Sequence, residues 1–319
     1  MENKIKVLAV CGPTASGKTA LSIALAKALD GEIVSCDSMQ IYCGMEIGTA
    51  KPTVAEMDGV PHHLLGFLDP AEAFSVADYT RLADAAIRDI AARGKHPLLV
   101  GGTGLYARAL LRGMSFSEKG RDASIREALQ NEFASAGIEP LYARLQTLDP
   151  EGAAQIHPNN TKRVIRALEY CLAAGEPFSA QAKASKTVES PYIDRMICLG
   201  CRDRDTLYAR IDRRVDAMFA DGLLDEARRY FQRYGTSGRT SVQAIGYKEL
   251  LPYLERRCTL SEAVENIKME TRRYAKRQLT WFRREENTAW LYLDDYPDFA
   301  ALVAAAMQIA QAHFNGEPV

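Results

Sequence analysis

Apolar and polar positions change rhythm along the 319-residue chain, and each change marks a structural element. Val7-Leu8-Ala9-Val10 is an unbroken apolar run close to the N-terminus. A short run of this kind predicts a strand buried on both faces, as in parallel sheets. Ala20 to Leu29 then repeats apolar residues at helical spacing. Glu32-Ile33-Val34-Ser35-Cys36 reads as a second short strand, ending at Asp37. Val76 to Arg93 predicts an amphipathic helix, and His96-Pro97-Leu98-Leu99-Val100 a third strand that runs into Gly101-Gly102-Thr103-Gly104. Strands alternating with helices over residues 1–112 predict an α/β fold with a doubly wound parallel sheet. Ligands on such sheets lie beyond the C-terminal strand ends. The segment after Val10, Asp37 and Gly101 should therefore converge on one crevice.

From about Gly113 to Pro191 the strand signals stop. Helical patterns take over at Ala123 to Ala136, Pro140 to Leu148 and Thr161 to Ala174. This predicts a helical insertion domain at residues 113–196, in a core formed by 1–112 and 197–319. Arg195 to Gly200, apolar again, is the return strand at that junction. Helices follow at Arg204 to Ala220, Leu223 to Tyr234 and Leu260 to Arg284. Leu291-Tyr292-Leu293 predicts a last strand and Asp298 to His313 a closing helix. There is no internal repeat and no low-complexity tract.

Hydrophobic residues make up 47% and charged residues 25%, as in soluble globular proteins, and the length suits about two domain-sized units. The N-terminus is polar up to Lys6 and leads straight into a strand, so no signal peptide is expected. No apolar run approaches the length of a membrane span. Seven scattered cysteines, an odd count, point to reduced thiols and a cytoplasmic location. Cys198 and Cys201 form a lone C-x-x-C with no second pair, which reads as two small core residues. With a net charge of −1, any nucleic-acid partner must be held by local basic patches.

Gly12-Pro13-Thr14-Ala15-Ser16-Gly17-Lys18-Thr19 matches the phosphate-loop pattern G-x-x-x-x-G-K-[ST] completely, between a strand and a helix. Such loops bind the phosphates of nucleotides such as ATP. Backbone N–H groups and the helix N-terminus surround the anion, Lys18 adds a full charge, and Thr19 offers a hydroxyl for Mg²⁺. The loop does not distinguish a phosphoryl donor from a diphosphate leaving group. Asp37, at the end of the neighbouring strand, either serves Mg²⁺, acts as a base, or caps a helix with Ser38. Gly101 and Gly102 either let the backbone approach a ligand, with Thr103 offering a hydroxyl, or make a tight turn. His62 and His63 have no metal spacing and read as structural. Arg210, Arg213 and Arg214 share a helix with Asp212 and Asp216, which by spacing alone is a solvated face. Lys268 to Arg284 holds seven basic residues and one acidic residue, Glu270. Arg273, Lys276, Arg277 and Arg284 fall on one helical face, with Tyr274 and Trp281 in the same run. That stripe suits a phosphate backbone, or is a solvated charged helix. Lys162-Arg163 with Arg166 opens a helix of the insertion.

In this order, G-P-T-A-S-G-K-T, D-S-M-Q-I-Y, G-T-A-K-P at 48–52, H-H-L at 62–64 and G-G-T-G-L-Y closely resemble the tRNA dimethylallyltransferases, also called tRNA isopentenyltransferases. The resemblance continues through His157-Pro158-Asn159, Arg163 and Arg166-Ala167-Leu168-Glu169. It runs on through Arg210-Ile211-Asp212-Arg213-Arg214, Gly222-Leu223-Leu224-Asp225-Glu226 and Gln243 to Glu249, and closes with Thr271 to Gln278. It covers residues 7 to about 285.

The resemblance implies a P-loop NTPase-like core and transfer of a dimethylallyl group from dimethylallyl diphosphate to N6 of adenosine 37 in tRNAs, giving N6-(dimethylallyl)adenosine. It implies that residues Gly12 to Thr19 hold the diphosphate, with Mg²⁺ on Thr19. Lys18 and Arg214 would steady the leaving charge, Thr103 would bond the donor near the breaking C–O bond, and Asp37 would be the general base. Contacts to the anticodon stem-loop are implied for Asp37, Ser38, Met39, Gln40, Thr103, Lys162, Arg163, Val164, Ile165, Arg166, Gln243, Arg273, Lys276 and Arg277. A monomer is expected. The main rival is a small-molecule kinase of the nucleotide or shikimate type, which predicts a short arginine-bearing lid in place of an insertion of about eighty residues. A prenyltransferase of free adenine nucleotides would need no RNA-facing surface, and a nucleotide-gated RNA-binding switch no general base.

Overall fold

The computed structural model describes residues 4–114, 120–184, 189–236 and 240–316. It divides into two compact units, Met1–Leu111 with Pro191–Val319, and Arg112–Ser190. The first unit opens with β1 (Ile5–Cys11), α1 (Lys18–Ala28), β2 (Gly31–Ser35), α2 (Val54–Met57), β3 (His62–His63), α3 (Val76–Ala92), β4 (His96–Gly101) and α4 (Gly104–Leu111). The second unit holds α5 (Ala123–Ala136), α6 (Glu139–Leu148), α7 (Pro150–Ala154), α8 (Thr161–Ala174) and α9 (Phe178–Ala184). The chain then returns to the first unit as β5 (Tyr192–Gly200), α10 (Arg204–Ala220), α11 (Leu223–Tyr234), α12 (Leu251–Leu254), α13 (Leu260–Phe282), β6 (Thr288–Tyr292) and α14 (Phe299–Asn315).

The six strands form one sheet in the order β3-β2-β4-β1-β5-β6, and every pairing is parallel. Alternate residues of β1 feed opposite cores, as a strand period of two requires. Val7, Ala9 and Cys11 pack with Leu99 against Tyr79 and Ile87 of α3 and Leu110 of α4. Leu8 and Val10 pack with Ile33, Leu98 and Ile197 against Leu21 and Leu25 of α1 and Leu302 and Ala306 of α14. Helices thus cover both faces of a parallel sheet, the doubly wound arrangement that the apolar runs predict. β1 lies between β4 and β5, so the loop after β1 opens where the chain winds both ways, the position at which such sheets bind ligands.

Three differences from the expected elements have local causes. The edge strand β3 is two residues long and leaves no apolar pattern to read. The last strand is Thr288–Tyr292, slightly earlier than Leu291 to Leu293. The insertion expected to reach residue 196 gives way at Pro191, because β5 begins at Tyr192 and pairs Ile5 with Tyr192. Asp194 and Arg195 interrupt the apolar run and hide that start.

The second unit is helical. Its core joins Leu129 of α5, Leu141 and Leu145 of α6, and Val164 and Leu168 of α8. Buried Glu169 is satisfied by Arg126 and by the amide of Asp122. Buried Asp149 accepts from the amides of Gly152 and Ser179 and from the Ser179 hydroxyl. Among the described residues no helix is long and apolar enough to cross a membrane.

All six strands and both sheet cores belong to the first unit. Replacing residues 112–190 by a short glycine–serine linker should therefore leave a domain that unfolds cooperatively in denaturant. Loss of a cooperative transition by circular dichroism would show one indivisible core instead.

Candidate active site

The phosphate loop starts where β1 ends. Gly12 has φ +139, and a Cβ there would stand 2.6 Å from the Leu199 carbonyl oxygen. Gly17 precedes α1 in the left-handed region, with φ 87. Residue Ala15 also has a positive φ of 61. Its carbonyl is held by Arg210 Nε at 2.8 Å. The first turn of α1 has no side-chain cap and no acidic residue, so its N–H groups are left for an anion.

Lys18 Nζ donates to the Pro13 carbonyl at 2.6 Å. Desolvation beneath the loop and the nearby Arg214 charge pull its ammonium down to about 8, against the opposing pull of Asp37. Arg214 Nη1 donates to Thr14 Oγ1 at 3.3 Å. Burial, then the Arg210 charge, lower its own pKa. Among the described residues no carboxylate pairs with Lys18, Arg210 or Arg214. The loop is therefore flanked by positive charge that no carboxylate pairs directly among the described residues.

The second strand end supplies a carboxylate. Asp37 Oδ1 accepts from the backbone N–H of Met39 at 2.9 Å and of Gln40 at 3.3 Å. This is a local side-chain turn that fixes the carboxylate; no helix follows it, so the capping alternative falls away. Thr103 Oγ1 accepts from the Ser38 N–H at 3.0 Å and donates to Ser38 Oγ at 3.3 Å. Gly101 is required by packing, since a Cβ would lie 2.1 Å from the Cys36 carbonyl oxygen. The Tyr274 phenol is pushed above its ordinary range by burial and by the Asp37 charge, with a bond to Thr103 opposing.

These pieces line one cavity of about 300 Å³. Its phosphate end has Thr14, Lys18, Thr19 and Arg214. Asp37, Ser38, Met39 and Gln40 form another wall, and Gln243, Tyr274, Arg277 and Gln278 complete the polar lining. Met39, Val215, Met218, Ile245 and Ile267 also line it and belong to one apolar cluster. The loop at 46–50 is pinned from outside. Buried Glu226 accepts the N–H groups of Glu46, Ile47 and Gly48 at 2.9 Å each, and the Tyr247 hydroxyl at 2.6 Å. Gln40 Nε2 donates to the carbonyls of Thr49 and Ala50.

Several expected site residues are not brought to the cavity. Thr103 follows the lining residue Gly102, and its hydroxyl accepts from the Ser38 N–H and donates to Ser38 Oγ. Arg273 and Lys276 are exposed on α13, and Arg273 pairs with Glu270 at 2.6 Å. Two other cations of that run, Lys268 and Arg272, are tied to Asp216 and Asp212 of α10. In the helical unit, Lys162 and Arg163 are exposed, but Val164 and Ile165 are buried in its core. A side-chain contact from Val164 or Ile165 to RNA is thereby withdrawn; successive residues of a helix point about 100° apart, and these two take the inner face. Arg166 donates to the Gly120 carbonyl at 2.7 Å and pairs with Glu169. His62 and His63 are structural: His62 Nδ1 meets the Val60 carbonyl, and His63 meets Glu32 at 2.8 Å. Cys198 is buried and Cys201 half-buried, and both thiols are raised by desolvation.

Residues that spacing alone did not single out include Gln278, Tyr274 and Glu226. Each sits inside a quoted motif, but a polar residue within a basic run or beside an aspartate carries no distinct signal.

A family model described as IPP transferase matches residues 40–285. The chain belongs to this family. A second model, Isopentenyl transferase, matches residues 5–66. The tRNA dimethylallyltransferase of Bacillus subtilis is 52% identical over 287 residues, covering 90% of each chain. That of Halalkalibacterium halodurans is 50% identical over 292 residues, covering 92% of each. The crystal structure of the full-length tRNA isopentenylpyrophosphate transferase from Bacillus halodurans superposes with a TM-score of 0.75 at 46% identity, over 98% of both chains. A eukaryotic dimethylallyltransferase caught acting on tRNA superposes with a TM-score of 0.86 at 29% identity, over 99% of this chain and 81% of that one. The P-loop NTPase-like fold of these IPP transferase relatives is the fold seen here, and the kinase reading finds no support among them.

The depressed pKa of Lys18 gives a test. Its charged form is lost as pH rises through about 8, so its share of anion binding should fall with rising pH. Above that point the wild-type affinity for inorganic diphosphate should drop by up to about tenfold per pH unit relative to Lys18→Met, whose binding lacks this component. The difference between the two proteins in calorimetric titrations at several pH values removes the titration of diphosphate itself. Parallel pH profiles would remove Lys18 from the anion site.

Proposed function

We propose that this chain transfers a dimethylallyl group from dimethylallyl diphosphate to N6 of adenosine 37 in tRNA. The observation that carries this reading is a single cavity with a cation-flanked phosphate loop, a fixed carboxylate and an apolar wall. In the reaction the C1–O bond breaks and the diphosphate leaves with the electron pair. The N6–C1 bond forms, and the N6 proton passes to Asp37.

Each protein group has a task in that balance. Lys18, Arg214 and the open amides of the loop hold the diphosphate where charge develops. Asp37 already has Oδ1 bonded to two amides, so its carboxylate needs no reordering to accept a proton. Met39, Val215, Met218, Ile245 and Ile267 suit the branched alkyl chain. Thr103, which bonds Ser38 beside Asp37, is the hydroxyl offered to the donor near the breaking C–O bond. Thr19, a hard oxygen donor on the cavity wall, would hold Mg²⁺; no cluster of three His, Cys, Asp or Glu suited to a metal occurs among the described residues. When bound there, Mg²⁺ would supply further positive charge to the leaving group. The adenine must be unstacked to enter, and Gln40 and Gln243 supply polar edges to meet it. Exposed Arg273, Lys276 and Arg277 of the first unit, and Lys162 and Arg163 of the second, are the cations offered to the anticodon stem-loop. The reaction is placed in the cytoplasm, with the chain acting as a monomer.

Asp37→Asn should lower transfer by about 10²–10⁴-fold, the usual share of a general base, while tRNA affinity stays within about twofold. Single-turnover assays with tRNA and dimethylallyl diphosphate check this; a loss below tenfold would take the proton from another group. Neutralising Arg273, Lys276 and Arg277 together should weaken tRNA binding and reduce the slope of log affinity against log salt by about 2–3. Equal slopes in filter binding would make the stripe an ordinary solvated face.

A further inference from the structure

Gln278 of α13 is buried, with 5% exposure, in a run that is otherwise basic. Its Oε1 accepts the backbone N–H of Thr14 at 2.9 Å. Its Nε2 donates to the Gly102 carbonyl at 2.9 Å. One amide thus joins two loops that sequence places far apart. Thr14 is in the phosphate loop, where Pro13 offers no N–H of its own. Gly102 is in the turn that carries Thr103, whose hydroxyl holds Ser38 next to Asp37. The fit is close on the glycine side, since a Cβ at Gly102 would stand 2.1 Å from Gln278 Nε2. Thr14 is also gripped from α10, through Arg214.

We propose that Gln278 is a positioning residue that sets the phosphate loop against the Asp37–Ser38 wall, so that α13 fixes the distance between leaving group and proton acceptor. This rests on the transferase reading for its consequence on rate, but its effect on anion binding does not. A buried carboxamide is suited to the task because it satisfies a donor and an acceptor at once. An apolar side chain of the same length would leave the Thr14 N–H and the Gly102 carbonyl unpaired and free the loop to drift. A drift of about 1 Å at a site of this kind costs up to 10²-fold in rate.

The test uses Gln278→Met, and Gly102→Ala as an independent way to displace the same side chain. In folded protein, judged by an unchanged circular dichroism spectrum, each variant should weaken binding of inorganic diphosphate by about tenfold. Each should lower kcat by about tenfold or more, with the KM for tRNA unchanged. The double variant should lose little more than either single one, because both act on one contact. Diphosphate affinity and kcat within twofold of wild type in either folded variant would overturn the proposal. So would a loss confined to the KM for tRNA, which would make Gln278 part of the RNA surface alone. Should the wild type bind diphosphate but transfer nothing, the transferase reading fails while the diphosphate titrations still decide the role of Gln278.

Discussion

Positive charge that no carboxylate pairs directly among the described residues, held at the C-terminal end of the central strand, is the constraint on which the site is built. Lys18 and Arg214 both have their charged forms disfavoured by desolvation and by neighbouring cations. The Pro13 carbonyl gives Lys18 partial compensation, the Ala15 carbonyl gives it to Arg210, and the Thr14 hydroxyl to Arg214. Neutral hydrogen-bond acceptors do not neutralise charge, and in the proposed reaction the diphosphate does. The cost is carried by the sheet beneath, where β1 is fully buried from Val7 to Cys11 between two neighbours and two helical layers. A loop anchored to a less rigid strand would relax by moving its cations apart.

Much of this frame was legible in the chain, for physical reasons that can be named. β1 and β4 are buried on both faces and read as apolar runs at residues 7–10 and 98–100, whereas β2 shows only Ile33 and Val34 between Glu32 and Ser35. The start of β5 was not legible, because Asp194 and Arg195 lie at the end of the strand where the sheet meets solvent. Edge strand β3 is too short to carry any period. The phosphate loop was legible because its chemistry needs fixed residues at fixed spacing. Arg214 was not legible by spacing alone, since its separation from Asp212 and Asp216 depends on where α10 turns each side chain.

Ambiguity at the site arises where a hydroxyl or a helix face has two uses. Thr103 has the chemistry of a ligand donor and also bonds Ser38, a contact across 65 residues of sequence. Val164 and Ile165 neighbour basic residues along the chain and not in space. Helical periodicity separates their side chains from those of Lys162 and Arg163. Gln278 gives no such signal; both of its partners are backbone atoms of distant loops, and backbone atoms leave no residue signature.

The partition of charge between α10 and α13 explains how a chain of net charge −1 presents separate positive regions. Asp212 and Asp216 neutralise Arg272 and Lys268, and these pairs fasten the two helices together. With its own carboxylates committed, α10 turns Arg214 toward the phosphate loop without an acidic neighbour in pairing distance among the described residues. With Arg272 and Lys268 committed, α13 exposes Lys276, exposes Arg273 in a pair with Glu270, turns Arg277 to the cavity mouth, and keeps Gln278 inside. The acids of α10 thus occupy cations that serve packing, which leaves others for the proposed phosphate contacts. Net charge is a poor guide to polyanion binding in such a chain, because the potential that matters is set by which pairs are closed and which are left open.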